Sequence, residues 1–208
     1  MSKRLVYWAL IASLGIFGVS LQIAEDGWGM LLYYTVLSNM LVLSFLIFLC
    51  LNEKENPLNQ DKQLLRIKGG VTMAITITFV IYHFLLAPLA KPEDFWNVRN
   101  FLVHYIVPIA LILDTLLIDT RKVYRWSDPF SWSLTPLFYS LFAIFNGLVT
   151  KLPVPGATDS PFPYFFINVG KYGWPTVLQN SLGIFIGYVL VGYLLVISKY
   201  FLGKKQSN

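Results

Sequence analysis

A threonine hydroxyl becomes a nucleophile when a base stands beside it, and a hydrogen-bonded histidine is the usual one. Thr35 and His104, each set in a long apolar run, suit those roles. Thr35 opens a short polar series with Ser38 and Asn39, spaced i, i+3, i+4 and so carried on one helical face. Asn100 precedes His104 by one turn, so its amide is expected to fix the imidazole tautomer. Pro108, four residues beyond, has no N–H; it frees the His104 carbonyl and predicts a kink there. Acyl transfer and ester hydrolysis are the chemistry such a pair supports. The same residues also have a purely structural use, since Ser and Thr bond back to the i−4 carbonyl and Asn and His join helices.

The elements that must position these residues are membrane helices. Apolar residues make up 56% of the 208 and charged ones 13%, about half the roughly 25% charged share of a soluble domain. Six runs supply the roughly 20 apolar residues that a helical span requires: 5–24, 28–51, 69–90, 99–118, 132–150 and 176–201. The expected fold is all-α, a single polytopic domain over 1–208 built as one bundle of six transmembrane helices. No cleavable signal is expected, because the first run is long and lacks a small-x-small site before Glu25. Cys50 is the single cysteine, which excludes an intrachain disulfide and a cysteine metal site.

Alternating the loops between two sides puts twelve Lys and Arg on one: Lys3, Arg4, Lys54, Lys62, Arg66, Lys68, Arg121, Lys122, Arg125, Lys199, Lys204 and Lys205. Four remain on the other: Lys91, Arg99, Lys151 and Lys171. The positive-inside rule then predicts cytoplasmic N- and C-termini. The net charge of +5 is thereby read as topology signal and headgroup contact, and nucleic acid is not an expected partner. In this orientation Thr35, His83, His104, Asn146 and Asn180 share the outer third of the bilayer; Thr35 and His104 lie roughly 8–11 Å inside at 1.5 Å per residue. Polar groups in hydrocarbon usually face a bundle interior and mark a site. Asp114 lies ten residues beyond His104, about 15 Å deeper on one helix, so it is not the acid behind the imidazole. A partner in Arg121 or Arg125, or a proton-relay role, is expected instead.

The connections differ in character. Glu25-Asp26-Gly27 predicts a tight hairpin between the first two spans, and Pro57 interrupts any helix through the polar segment 52–68. The outer segment 151–175 carries five prolines interleaved with Phe162, Tyr164, Phe165, Phe166, Tyr172 and Trp174. It reads either as an interfacial re-entry loop or as a lid over an outer pocket.

The run Tyr34-Thr35-Val36-Leu37-Ser38-Asn39 resembles the aromatic-Thr-x-x-Ser-Asn segment of a bacterial family of six-span membrane proteins. Further likeness lies in Asn100 to His104 with Pro108 and Asp114; in Trp132, Pro136 and Tyr139; and in Pro161-x-Pro163-Tyr164-Phe165-Phe166, Gly173-Trp174-Pro175 and Asn180. That family is similar to the eukaryotic androgen-induced-1 family of intramembrane hydrolases, which cleave fatty acid esters of hydroxy fatty acids with a Thr nucleophile and a His. The resemblance implies Thr35 and His104 as that pair, with an acid ten residues on at Asp114. It implies no role for His83, where the eukaryotic relatives lack a histidine.

The expected activity is thus an intramembrane lipid esterase in a bacterial inner membrane, with membrane lipids and a fatty ester as partners. Thr35 attacks, His104 serves as base and then acid, and Asn39, Asn100 or Asn180 orients the imidazole or meets the oxyanion. Ser38, His83 and Asn146 are supporting candidates. No cofactor or metal is expected, since two histidines without a placed acid make a weak ligand set. A small-solute transporter or channel, a lipid acyltransferase and a non-catalytic scaffold are the competing readings.

Overall fold

The computed structural model describes residues 3–53, 57–157 and 160–205; Lys54, counted above among the basic residues, lies outside them. Six helices long and apolar enough to cross a membrane fill these residues: α1 (Lys3–Asp26), α2 (Tyr34–Asn52), α3 (Lys62–Leu89), α4 (Val98–Leu117), α5 (Asp128–Thr150) and α6 (Val169–Phe201). The chain is an all-α, multi-pass membrane protein. Helices α1 to α4 form the central packing unit, where Trp8, Val36, Val42, Leu46, Leu65, Val103 and Leu111 close a continuous apolar core. Helices α5 and α6 bury only 22% of their spanning windows, against 39–50% for the other four, so they form a flank against that unit.

Several boundaries depart from those read in the sequence. Helix α2 begins at Tyr34, not at 28, because Gly27 at φ +83° and the 3-10 turn Trp28–Leu32 precede an extended Tyr33. Helix α3 begins at Lys62, not at 69, because the Asp61 side chain accepts from Leu64 N at 2.9 Å and caps it. Helix α6 begins at Val169, capped by Asn168, and bends at Gly173 (φ +73°) just before Pro175. The outer loop is accordingly shorter than 151–175. Three spans also contain a single π turn, at Tyr82–Leu86, Leu102–Ile106 and Asn146–Thr150. The first two lie just before Pro88 and Pro108, whose missing N–H groups leave a carbonyl of the preceding turn without its helical partner.

At the end of the bundle where the described termini lie, charge is buried rather than displayed. Lys68 is fully buried, pairs closely with Asp114 and lies 2.9 Å from both Asp119 oxygens. Arg4 pairs closely with Asp119 and lies 3.9 Å from Asp114, while Trp8 Nε1 donates to Asp114 at 2.9 Å. Lys199 donates to the Asp119 carbonyl at 2.7 Å. Arg4, Lys68 and Lys199 are therefore not headgroup contacts, and Asp114 does not pair with Arg121 or Arg125. The reason is compositional: two buried carboxylates on α4 and the turn after it require cations from α1 and α3. Arg66 meanwhile grips Asp128 through two nitrogens and fixes the start of α5.

Burial pushes the Asp119 carboxyl above its ordinary range, and Lys68 and Arg4 only partly offset this. Lys68→Met is expected to cost about 3–5 kcal/mol, because it strands two buried carboxylates. A carboxyl with a raised folded pKa contributes stability at low pH and loses it as pH rises through that pKa. The variant's melting temperature, followed by circular dichroism in detergent, should therefore fall most at neutral pH and least in acid, and Asp114→Asn added to it should restore part of the loss.

Candidate active site

Thr35 stands in the first turn of α2, and this placement follows from the broken start of that helix. Tyr33 is extended (φ −88°, ψ 135°) and offers no side-chain cap. The N–H groups at the head of α2 thus have no carbonyl of their own helix to bind, and the positive end of the helix dipole lies beside Thr35. A span running from residue 28 would have left Thr35 two turns inside, beyond the reach of that dipole.

Three neighbours fix the threonine. Asn39 Nδ2 donates to the Thr35 carbonyl at 2.8 Å and to the Val103 carbonyl at 3.0 Å, tying α2 to α4 one residue before His104. Ser38 Oγ donates to the Thr35 carbonyl at 3.1 Å and shares a 2.7 Å hydrogen bond with Thr78 of α3. His104 completes the set, with Nε2 3.2 Å from Thr35 Oγ1.

The imidazole's other nitrogen decides its chemistry. His104 Nδ1 lies 3.2 Å from the Asn100 carbonyl oxygen. A carbonyl can only accept, so Nδ1 carries the proton and donates it. Nε2 is left with a lone pair, and the Thr35 hydroxyl donates to it. The ring is held flat against Tyr82, with centroids 3.7 Å apart and an 18° interplanar angle. Asn100 therefore fixes the tautomer through its backbone; its side chain turns away and donates to the Phe95 carbonyl at 2.9 Å.

The outer loop folds into the bundle above this pair. Phe162, Tyr164 and Ile167 are buried with Tyr34 and Val177 in a second apolar cluster, so the segment acts as a lid. Tyr33 Oη donates to the Pro155 carbonyl at 2.6 Å and anchors the lid to the head of α2. The Tyr164 hydroxyl interacts with the Thr35 side chain and with the backbone of Tyr34 and Thr35; burial pushes its pKa up, so it remains protonated. A cleft of about 610 Å³, partly open to the outside, lies next to these groups; Thr35, Thr78, Tyr82, Tyr139, Tyr164 and Ile184 are among the residues that wall it. Thr35 thus separates the cleft from the base behind it.

The remaining sequence candidates lie elsewhere. His83 is on the outside of the bundle, 3.2 Å from the Tyr105 hydroxyl and stacked on Phe79, and takes no part in the site. Asn146 closes its own π turn, donating to Pro161 O at 2.9 Å and accepting from Thr150 and Leu152 N. Asn180 donates to Phe166 O at 3.1 Å and so holds the lid, not the imidazole. Equal depth does not imply equal direction, and only the direction of a side chain brings it to the site. The sequence gives Tyr82 and Thr78 no site role, and Tyr139 and Tyr164 only a place among the residues of the resemblance or of the loop; nothing in an aromatic-rich membrane chain distinguishes such rings from lipid-facing ones. Among the described residues no group of three or more His, Cys, Asp or Glu gathers to hold a metal ion.

No family model, curated protein or solved structure matches this chain. The functional reading consequently stands on the geometry of the pair. Nitrogen-15 NMR of His-labelled protein in a His83→Gln background should report a neutral His104 with its proton on Nδ1. A proton on Nε2 instead would remove the base from Thr35.

Proposed function

We propose that the protein is an intramembrane esterase that cleaves fatty-acid esters of membrane lipids, with Thr35 as nucleophile and His104 as general base. The observation that carries this reading is the 3.2 Å Thr35 Oγ1–His104 Nε2 contact, with Nδ1 committed to the Asn100 carbonyl, at the wall of an apolar cleft. Positive-inside counting puts the pair towards the outer leaflet, and a bacterial inner membrane is the setting we assign. Fatty acid esters of hydroxy fatty acids, which the resemblance implies, are the first substrates to try.

In this mechanism Thr35 Oγ1 attacks the ester carbonyl carbon while its proton passes to His104 Nε2. The carbonyl oxygen becomes an oxyanion beside the positive end of α2. The Tyr164 hydroxyl, which interacts with the Thr35 side chain and with the backbone at the head of α2, is the group assigned to donate to it. Collapse breaks the bond to the alcohol oxygen, which takes the proton from the imidazolium and departs. Water, deprotonated by His104, then attacks the threonyl ester, and the imidazolium returns its proton to Thr35 Oγ1 as the bond to the fatty acid breaks. The Asn100 carbonyl supports the imidazolium in both steps without being charged itself. A through-going solute path is disfavoured by the packed core of α1 to α4 and the buried ionic cluster beneath it.

Purified protein treated with a hydrophobic fluorophosphonate should be labelled, and labelling should vanish in Thr35→Ala and His104→Ala at equal folded yield. Thr35→Ser keeps the hydroxyl and should keep the label. Tyr164→Phe is expected to reduce kcat by about 10²–10³ with little change in KM, as for loss of one oxyanion donor. Well-folded wild type that neither takes the label nor hydrolyses any fatty ester would overturn the assignment.

A further inference from the structure

A second groove of about 710 Å³ runs between α3 and α6. Ile77, Ile81 and Ile184 line both this groove and the cleft at Thr35, so the two adjoin along these three side chains. From Ile81 the groove runs eight residues along α3 to Met73, about 12 Å towards the bilayer centre at 1.5 Å per residue. Its floor is the packed cluster of Met73, Trp132 and Tyr188. Its two polar residues have their hydroxyls already committed: Thr76 donates to Thr72 O at 2.7 Å, and Tyr188 to Trp132 O at 3.0 Å. Both hydroxyl protons along the groove are thus spent, and the rest of its lining is apolar or glycine.

The α6 wall is opened by Gly183 and Gly187, one turn apart on one face. Glycine weakens a helix interior, so its presence calls for a reason. Close helix contact is the reason at Gly15 of α1, where an added Cβ would lie 2.4 Å from Leu43. It is not the reason at Gly183 and Gly187, where an added Cβ would meet nothing within 4 Å. These two positions keep a space empty, and they keep it open to the bilayer, since both glycines are exposed on the outside of the bundle.

One further observation points to a lipid oxygen at the inner end. Among the described residues the buried Tyr34 hydroxyl has no hydrogen-bond partner, although the ring walls the cleft. It is within electrostatic range of Tyr188, which lines the groove. A buried unpaired hydroxyl is costly unless a ligand completes it. The groove on the other side of the Tyr34–Tyr139 ring pair, between α2 and α5, is screened from Thr35 by those rings, whose centroids are 5.0 Å apart.

We infer that the α3–α6 groove is the acyl-chain site: a single linear chain of a membrane lipid slides in sideways from the bilayer between α3 and α6, lies along Gly183 and Gly187, and brings its ester carbonyl to Thr35. The inference rests on the esterase reading for its turnover consequences, but chain binding itself does not. The floor at Met73 and Tyr188 sets the accepted chain length, and the substrate arrives from the outer half of the membrane without crossing water.

Gly187→Leu fills the deep part of the groove and Gly183→Leu the part nearest the cleft. Leucine favours helix over glycine, and a Cβ at either position meets nothing within 4 Å, so both variants should fold. With p-nitrophenyl esters, Gly187→Leu should lower kcat/KM for the palmitate by about tenfold or more while leaving the butyrate within about twofold. Gly183→Leu should affect both, and Leu41→Trp, in the α2–α5 groove, should affect neither. Equal loss of both esters in Gly187→Leu, or no loss of either, would overturn the assignment of the groove. Should wild type hydrolyse neither ester, the fluorophosphonate labelling above tests the esterase reading, and photo-crosslinking decides the groove alone. A palmitic acid analogue with a mid-chain diazirine should label α3 between Met73 and Leu85 or α6 between Gly183 and Val191, and Gly187→Leu should abolish this. Adducts confined to other helices, or unchanged by Gly187→Leu, would overturn the proposal.

Discussion

In hydrocarbon there is no water to satisfy a polar group, so each one inside the bundle must find protein, ligand or another copy of its own chemistry. That constraint organises this molecule at both ends. Near the termini it gathers Lys68, Arg4, Asp114 and Asp119 into one buried ionic cluster, in which removing any single charge strands the others. At mid-depth Thr72 and Thr115 satisfy each other at 2.7 Å and tie α3 to α4. Higher up, Asn39 and Ser38 spend their donors on the Thr35 carbonyl, on Val103 and on Thr78. The Thr35 backbone is therefore held by side chains reaching two other helices, and it has little freedom to drift from the imidazole.

The same constraint explains why His104 is supported by a carbonyl and not by a carboxylate. A second buried charge at this level would need its own counter-ion, as the cluster near the termini shows. A carbonyl orients the ring and fixes its tautomer at no cost in buried charge. The π turn through Leu102–Ile106, backed by Pro108, is the local distortion in which the ring reaches the Asn100 carbonyl one turn earlier.

Much of this was legible in the sequence, and the limits are physical. Six apolar runs specify six spans, and the i, i+3, i+4 series at Thr35, Ser38 and Asn39 and the four-residue step from Asn100 to His104 specify shared faces. Helix starts were less visible: the Asp61 cap sits in a polar segment that hydropathy reads as loop, and the break at Gly27 to Tyr33 lies beside apolar sequence that it reads as continuous. Depth was a partial guide. It grouped His83, Asn146 and Asn180 with the pair, yet rotation about the helix axis sends His83 outward and turns both asparagines to the lid. Partner choice was least legible: Asp114 lies within a few residues of Arg121 and Arg125 along the chain but meets Lys68, which hydropathy had assigned to a loop.

Among the described residues the central core draws on α1 to α4 and on Leu58, Val123 and Tyr124 of the segments beside them, and on no residue of α5 or α6. Domains and subdomains form in the order they are synthesised. During biogenesis the segment that holds Thr35 against His104 thus leaves the ribosome before α5, α6 and the lid. For that interval the pair faces the bilayer without Tyr139, Tyr164 or the α6 wall. The last third of the chain is then a late-arriving enclosure, and the newborn protein holds Thr35 and His104 before it has walls around them.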